Sequence, residues 1–304
     1  LHPRVRRQRQ MCIRDSATAA QLKQMLHISN DNYFEWRFGN IYYTKKGTGS
    51  PILLIHDTLP GASGYEWSKI EDELAIDHTV YTVDLLGCGR SDKSSITYTN
   101  FVYVQMISDF IKKIIGQKTD VIASGFSGSF VTMACHNEKE LFNKIMLVNP
   151  PSLTQLKQMP NRKDRLLKAA LEIPIFGTLV YHMIVSRDNI NNLFIEKMYY
   201  NPFHVDNQMA DAYYEAAHKG GYYTRFLYSS LAAKYININI CHALKALDNS
   251  IYIVEGETEP NGKAVTDDYC ASNPAIEVSV LKETKHLPHV EAPEAFLEQV
   301  KIFF

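Results

Sequence analysis

The sequence predicts an α/β fold: a mostly parallel central sheet with helices on both faces and an inserted helical cap. Short runs of β-branched and other apolar residues alternate with helical stretches, which implies right-handed strand–helix–strand crossovers. Polar residues suited to catalysis follow several of these runs directly, at the sheet edge where ligands bind in such folds. One long stretch lacks strand-like runs altogether, which predicts a helical insertion.

The elements can be assigned in chain order. Residues 33–43 alternate in polarity around Gly39-Asn40, which predicts a hairpin with its turn at that dipeptide. Residues 101–115 have a helical pattern. The short apolar runs that we expect to form strands are 51–55, 79–84, 120–123, 144–148, 251–254 and 276–281.

Residues 152–240 form the predicted helical cap, inserted after the strand at 144–148. The segment is rich in Tyr, Phe and Met, more than a small helical layer needs for packing. Most of these aromatic residues should pack within the cap, while a few line an apolar substrate pocket. The candidates for the pocket are Tyr199, Tyr200, Phe203, Tyr223 and Phe226.

The run Gly125-Phe126-Ser127-Gly128-Ser129 lies between a predicted strand and a helical stretch. A serine on a sharp strand-to-helix turn is held with its hydroxyl exposed, and small neighbours let strand and helix approach. The N-terminal N–H groups of the helix would stabilise negative charge there. This pattern makes Ser127 the candidate nucleophile.

A serine nucleophile needs a base, and the base needs a third group to orient it. His286 follows the strand at 276–281, and the turn after residues 251–254 carries Glu255, Glu257 and Glu259. The order serine, acid, histidine matches one of the well-known triad arrangements. Either of the other two glutamates could replace Glu259, and His289 is the candidate for a histidine with a surface role.

These pieces together resemble the α/β-hydrolase superfamily over roughly residues 32–304, closest to esterase-like and epoxide-hydrolase-like members with a helical cap. The resemblance implies the α/β-hydrolase fold, with Ser127 as nucleophile, His286 as base and Glu259 as acid. Epoxide and haloalkane hydrolases of the superfamily carry aspartate as nucleophile, so serine argues against both. The matching segments are 54–56, 83–92, 125–129, 256–259 and 286–293.

The oxyanion site departs from the family pattern. Most members have His-Gly after the first core strand, whereas this chain has His56-Asp57-Thr58. We expect the N–H of Gly128 to be one donor to the oxyanion and that of Thr58, or less favourably Asp57, to be the other. A carboxylate beside a developing oxyanion opposes catalysis unless it points away or is paired. An Asx-turn or capping role for Asp57 is therefore expected.

Composition limits the partners. The net charge is −1, with 32 basic and 33 acidic residues, so nothing indicates nucleic acid or an anionic surface as partner. Hydrophobic residues make up 45% of the chain, which is ample for a core. The five cysteines contain no C-x-x-C pair, which fits reduced thiols in the cytoplasm. No apolar run is long enough for a membrane span, and no metal motif or cofactor requirement is evident.

The domain assignment follows from these observations. Residues 17–151 and 241–304 should form the hydrolase core, and 152–240 the cap. Residues 1–16 contain five arginines and resemble translated sequencing-adapter sequence, so we interpret them as non-native. A basic tail that binds anions is the alternative for this segment.

The predicted function is a serine hydrolase that cleaves a small or medium, largely apolar carboxylic ester or a related acyl compound through an acyl-enzyme, without a cofactor. The same triad serves C–C bond hydrolases, amidases or aminopeptidases, and acyltransferases, and the fold does not choose among them. A ligand-binding protein without catalysis is a further alternative. The expected partner is a small-molecule substrate, and the oligomeric state stays open.

Overall fold

The computed structural model describes residues 25–26 and 32–304. The segment 1–16, interpreted as non-native, lies outside the described residues. The strands are β1 (Asn32–Trp36), β2 (Gly39–Lys46), β3 (Ser50–Ile55), β4 (His78–Val83), β5 (Thr119–Ser124), β6 (Phe142–Val148), β7 (Ile251–Gly256) and β8 (Glu277–Leu281). They form one sheet in the order β1-β2-β4-β3-β5-β6-β7-β8.

The helices cover both faces of this sheet and fill the insertion. They are α1 (Glu71–Leu74), α2 (Asn100–Phe110), α3 (Ser127–Asn137), α4 (Leu153–Leu156), α5 (Arg162–Glu172), α6 (Pro174–Ile184), α7 (Arg187–Leu193), α8 (Asn207–His218), α9 (Arg225–Ala232), α10 (Cys241–Ala246), α11 (Gly262–Ser272), α12 (Pro288–Glu291) and α13 (Pro293–Phe303). The architecture is the α/β-hydrolase fold, as the sequence predicted.

The sheet is parallel from β4 through β8, while β1 and β2 add an antiparallel edge. Parallel pairing places the carboxyl ends of β3, β5, β6, β7 and β8 along one edge of the sheet. The loops that leave these ends therefore converge. This edge carries the candidate active site.

Strand β3 shows why both faces of the sheet are buried. Leu53 and Ile55 belong to one apolar cluster, and Ile52 and Leu54 belong to the cluster on the opposite face. All four side chains are inaccessible to solvent. Successive side chains of a strand point to opposite faces, so a strand covered by helices on both sides is apolar at every position.

The predicted N-terminal hairpin is present, but its turn is not at Gly39-Asn40. Trp36 pairs with Gly39, so the turn lies at Arg37 and Phe38, and Gly39 is the first residue of β2. Gly39 has φ +142°, and a Cβ there would meet the side chain of Asp92 at 2.7 Å. Glycine at this position allows a close approach between the strand and a loop, and does not form the turn.

Between β6 and β7 the described chain is helical, in agreement with the pattern of residues 152–240. The exact domain boundaries stay a prediction. Over the described residues, no single helix is long and apolar enough to cross a membrane. Helices α5 and α6, bent by 95° at their junction, meet that test of length and composition only when taken together.

Candidate active site

A cavity of about 530 Å³ opens at the carboxyl ends of the parallel strands. Each loop that leaves this edge contributes a polar or small residue to its wall. These residues are Asp57 after β3, Gly125 after β5, Asn149 after β6, Glu259 after β7 and His286 after β8. The sequence analysis placed the acid and the histidine of the site here.

The sharp turn between β5 and α3 is centred on Gly125. Its φ is +53°, the left-handed conformation that a nucleophile elbow imposes on its central residue. Ser127 follows two positions later, and it is already the first residue of α3. The expectation that Ser127 occupies the turn with an exposed hydroxyl is therefore wrong, because the chain turns two residues earlier.

Ser127 is completely buried and lies beneath the site. Its Oγ donates to the carbonyl oxygen of His56 at 2.5 Å and is 3.2 Å from Oγ1 of Thr58. Among the described residues, no hydrogen bond joins this hydroxyl to His286. Ser127 is likewise not part of the cavity wall. The structure thus separates the predicted nucleophile from the predicted base.

Two backbone N–H groups converge beside Gly125, those of Thr58 and Phe126. Thr58 was predicted as an oxyanion donor, whereas Phe126 was not. Gly128, the other predicted donor, gives its N–H to the carbonyl oxygen of Gly125 at 3.2 Å, so the turn itself uses this group. The donor is Phe126 and not Gly128 because the chain turns at Gly125, and the N–H that faces the oxyanion site belongs to the residue immediately after the turn.

The carboxylate of Asp57 occupies the site that these two donors form. Its Oδ1 accepts the N–H of Thr58 at 2.6 Å and that of Phe126 at 2.8 Å. A Cβ at Gly125 would overlap the same carboxylate, so the absence of a side chain there makes the space that Asp57 occupies. The side chain of Asp57 therefore lies at the centre of the site, paired with these donors and with His286, and its place there goes beyond the Asx-turn or capping role expected from the sequence.

His286 lies between two carboxylates. Its Nε2 is 3.5 Å from Oδ2 of Asp57, and its Nδ1 is 3.2 Å from Oε1 of Glu259. Glu257, one alternative acid, instead accepts the N–H of Glu283 at 3.0 Å on an exposed loop. Of the three glutamates proposed for the acid, Glu259 is the one that the structure pairs with His286.

The two carboxylates control the charge of the ring. Burial lowers the pKa of His286, but hydrogen bonds to Asp57 and Glu259 and their charges outweigh that effect and raise the pKa to about 10. At neutral pH the ring is therefore an imidazolium that donates from both nitrogens. A cationic histidine can give up a proton but cannot take one from a serine hydroxyl.

Asn149 anchors the loop that carries the histidine, a role that the sequence analysis missed. Its Nδ2 donates to the carbonyl oxygens of Lys285 and His286 at 2.8 and 2.9 Å. Its Oδ1 accepts the N–H of Gly256 at 3.0 Å. The residue adopts φ +44°, which asparagine tolerates better than most residues. Asn149 thus ties the end of β6 to both the acid and histidine loops.

The loop of Asp57 is supported from below by buried polar groups. Glu66 accepts the N–H of Asp57 at 3.4 Å and pairs with Nε2 of His289 at 3.2 Å. Burial raises the pKa of Glu66, but the hydrogen bond to His289 and its charge bring the pKa below its usual value. His289 is fully buried and stacks on Trp67, so the surface role expected for it is wrong.

The five aromatic cap residues predicted for the pocket do not line this cavity. Tyr199 and Tyr200 line a separate cavity of about 670 Å³. Phe203 is 93% exposed, and Tyr223 and Phe226 pack near Arg225. The residues of the 152–240 segment that line the main cavity are Ser152, Gln155, Leu193, Glu196, Lys197 and Met198. Helical periodicity does not specify which face of a cap helix meets the core.

Metal binding has no support in the described parts of the chain. Within residues 25–26 and 32–304, no group of three or more His, Cys, Asp or Glu side chains is placed to hold a metal ion. His286 is committed to its two carboxylate partners. The groups that the site brings together are the carboxylates of Asp57 and Glu259, the imidazolium of His286 and two backbone donors.

Comparison with known proteins identifies the family of this chain. The model of the alpha/beta hydrolase family matches residues 52–299. A 2-hydroxy-6-oxo-6-(2'-aminophenyl)hexa-2,4-dienoic acid hydrolase of Metapseudomonas resinovorans is 29% identical over 113 residues, 36% of this chain and 39% of that protein. A soluble epoxide hydrolase of Corynebacterium sp. (strain C12) is 24% identical over 109 residues, 36% of this chain and 37% of that protein.

The matched segment thus spans less than half of these curated relatives. Among solved structures, the epoxide hydrolase CorEH has a TM-score of 0.74 at 16% identity, covering 90% of this chain and 98% of that chain. A likeness at this identity reports the fold. The substrates of these proteins are not transferred by it.

Proposed function

Because the chain belongs to the alpha/beta hydrolase family, we propose that it is a hydrolase whose nucleophile is the carboxylate of Asp57 and whose substrate reacts at a saturated carbon, as an epoxide does. One observation carries this proposal. Oδ1 of Asp57 accepts hydrogen bonds from the two backbone N–H groups, and Oδ2 faces His286. An aspartate nucleophile needs one oxygen held by backbone donors and the other at the cavity wall beside a proton donor, which here is His286.

The first step forms an ester on the enzyme. Oδ2 of Asp57 attacks an epoxide carbon, the carbon–oxygen bond of the ring breaks, and the alkoxide takes a proton from the imidazolium of His286. No base is required for this step, because the carboxylate is already charged. The step removes the charge of Asp57, which is one of the causes of the raised pKa of His286.

The second step hydrolyses the ester. Neutral His286, oriented by Glu259, takes a proton from water, and the hydroxide adds to Cγ of Asp57. The developing negative charge is on Oδ1, which already accepts from Thr58 and Phe126. The alkyl oxygen then leaves with the proton from His286, and the new carboxylic acid returns a proton to the ring. A diol is released and the starting charges are restored.

Cleavage of a carboxylic ester through Ser127 is the second candidate. It is favoured by the position of Ser127 under the Thr58 loop, with 3.2 Å between the two hydroxyl oxygens. This route requires the hydroxyl to leave its bond to His56 and reach the cavity. It also requires Asp57 to vacate the N–H groups that would bind a substrate oxyanion. The Asp57 route requires neither change.

The name of one relative, a soluble epoxide hydrolase, is consistent with the proposed substrate class. The cavity of about 530 Å³ suits a small or medium molecule. The free thiols of Cys88, Cys135, Cys241 and Cys270 are consistent with a reducing compartment, so we propose a cytoplasmic location as well.

The test is a single turnover in water enriched in oxygen-18, with enzyme in excess over styrene oxide. The proposed route leaves the water oxygen on the enzyme, so peptide mass spectrometry should find the heavy oxygen in the Asp57 peptide after one turnover. Asp57→Ala should lose at least about 10³-fold in kcat/KM, whereas Ser127→Ala should stay within a few-fold of the wild type.

A parallel assay uses p-nitrophenyl butyrate and a fluorophosphonate probe. Probe labelling of Ser127, with ester turnover that survives Asp57→Ala, would establish the serine route and overturn the proposal. Heavy oxygen found only in the diol would also reject an ester on Asp57. Turnover of a C–C bond or amide substrate that depends on Ser127 would point to the other activities predicted from the sequence.

A further inference from the structure

Helices α5 and α6 of the insertion expose an apolar face. Leu166 is 72% exposed, Phe176 52% and Met183 69%. On α6 the exposed positions recur at one-turn intervals, whereas Gly177 and Tyr181 on the other side are buried. The six residues that we name the apolar face are Leu166, Ile173, Ile175, Phe176, Leu179 and Met183.

The exposed charges of α5, beside this face, have one sign. The exposed charged side chains of α5 are Arg162, Lys163 and Arg165. Helix α6 contains no Asp, Glu, Lys or Arg at all. A face of this kind combines apolar side chains with a cationic margin, which is the pattern of helices that lie in a membrane interface.

The acidic residues of α5 do not offset this cationic margin. Asp164 is buried, caps the helix through Asn161 and lies 3.4 Å from Nζ of Lys234. Glu172 is half-buried and pairs with Lys168 at 2.5 Å. Both carboxylates are thus used inside the cap, and the outward charge of α5 is positive.

We propose that the apolar face of α5 and α6 binds the surface of an anionic lipid bilayer. The side chains of the face enter the boundary between headgroups and acyl chains, while Arg162, Lys163 and Arg165 meet the phosphates. Each helix has 11 residues, about 16 Å of helix, which is about half of the hydrocarbon thickness. The pair therefore lies on the membrane and does not cross it.

A lipid surface explains this face better than a second copy of the chain does. A twofold dimer uses the same patch on both subunits, so it would bring two cationic margins into one interface. An anionic membrane instead offers the opposite charge.

The experiment measures co-sedimentation of the full chain with vesicles of phosphatidylcholine alone and of phosphatidylcholine with phosphatidylglycerol. We expect binding to the anionic vesicles, and at least about tenfold weaker binding for the double variant Phe176→Glu/Leu179→Glu. The matched control is Ile76→Glu, since Ile76 is 66% exposed and lies outside the insertion. It should bind as the wild type does.

Two further variants test the contribution of charge and the insertion of the apolar face into the bilayer separately. Replacing Arg162, Lys163 and Arg165 with alanine should weaken binding to anionic vesicles and remove its dependence on salt. The Phe176→Trp variant should show a blue-shifted emission that brominated lipid quenches. Thermal melting of each variant shows that it is folded.

Three outcomes would overturn the proposal. The first is no binding of the wild type to either kind of vesicle. The second is equal loss of binding in Ile76→Glu and in the double variant. The third is a stable dimer in light scattering that Phe176→Glu dissociates, because this result would assign the face to a second copy of the chain.

Discussion

Oδ2 of Asp57 lies 3.5 Å from Nε2 of His286, at the position beside Gly125 where the side chain of an elbow nucleophile would stand. Two substitutions relative to the family pattern produce this contact. An aspartate replaces the glycine that most members carry after the first histidine, and a glycine occupies the turn. The acidic side chain at this position thus comes from the loop after β3, whereas an elbow nucleophile would come from the loop after β5.

The first prediction tests this exchange of positions directly. The double variant Asp57→Gly/Gly125→Ser should bring a hydroxyl to the turn beside His286 and free the N–H groups of Thr58 and Phe126. We expect a fluorophosphonate to label the peptide that contains position 125, together with measurable ester turnover. Intact-protein and peptide mass spectrometry check the labelling.

The single variant Gly125→Ser is the control for that experiment. Its Cβ would overlap the carboxylate of Asp57, so it should lower the melting temperature and give little labelling. Strong labelling in the single variant would show that the Asp57 side chain moves away easily. This would contradict its fixed place in the site.

The second prediction concerns pH. The ordinary pKa of histidine is 6.5, and that of His286 is raised to about 10 in the folded protein. The folded state therefore binds this proton more tightly than the unfolded state does. The stabilisation is complete below about pH 6.5 and is lost as the pH rises towards 10. Urea unfolding across this range should show a steeper loss in the wild type than in His286→Gln.

The same slope in His286→Gln and in the wild type would mean that other groups cause the loss. A further check is Glu259→Gln, which removes one of the two carboxylates. It should lower the pKa of His286, and the proton NMR titration of the ring should report this directly. A ring that titrates near 6.5 in the wild type would contradict the pairing.

The third prediction concerns Asn149. Asn149→Ala removes the hydrogen bonds to Lys285, His286 and Gly256, which should cost about 1–3 kcal/mol of unfolding free energy. It should also lower kcat more than it changes KM, because it frees the loop that positions the histidine. The matched control is Asn143→Ala on the exposed start of the same strand. A larger effect in the control than in Asn149→Ala would refute the anchoring role.

The fourth prediction concerns the buried pair of Asp84 and Arg90 near the end of β4. Arg90 donates through Nε at 2.7 Å and Nη2 at 3.0 Å and stacks over the ring of Tyr42. Burial raises the pKa of Asp84, but the charge and hydrogen bonds of Arg90 outweigh this effect and hold it at about 2. Arg90→Ala should cost about 3–5 kcal/mol, since it leaves an unpaired buried charge.

The exposed pair of Lys139 and Asp248, at 3.0 Å, is the comparison for this measurement. Lys139→Ala should cost much less unfolding free energy than Arg90→Ala does, because solvent screens exposed ion pairs. Urea unfolding of both variants at one pH checks the difference. Similar losses of unfolding free energy in the two variants would mean that burial does not determine how much the pair of Asp84 and Arg90 stabilises the fold.

The sequence by itself determined the architecture of this protein and part of its site. Apolar runs such as 51–55 and 144–148 can be buried on both faces only in a parallel sheet, so they predicted the strands. The sequence also placed Glu259 and His286 after strand ends that parallel pairing brings to one edge, and the structure pairs these two side chains. Their catalytic roles stay a prediction.

Only the tertiary structure decided which residue stands at the turn and which side chain fills it. A run of small residues can turn at more than one position, and the backbone conformation of Gly125 chooses between them. The place of Asp57 depends on a contact between β3 and β5 loops that are 69 residues apart. The sequence shows both residues, but the space between them exists only in the folded chain.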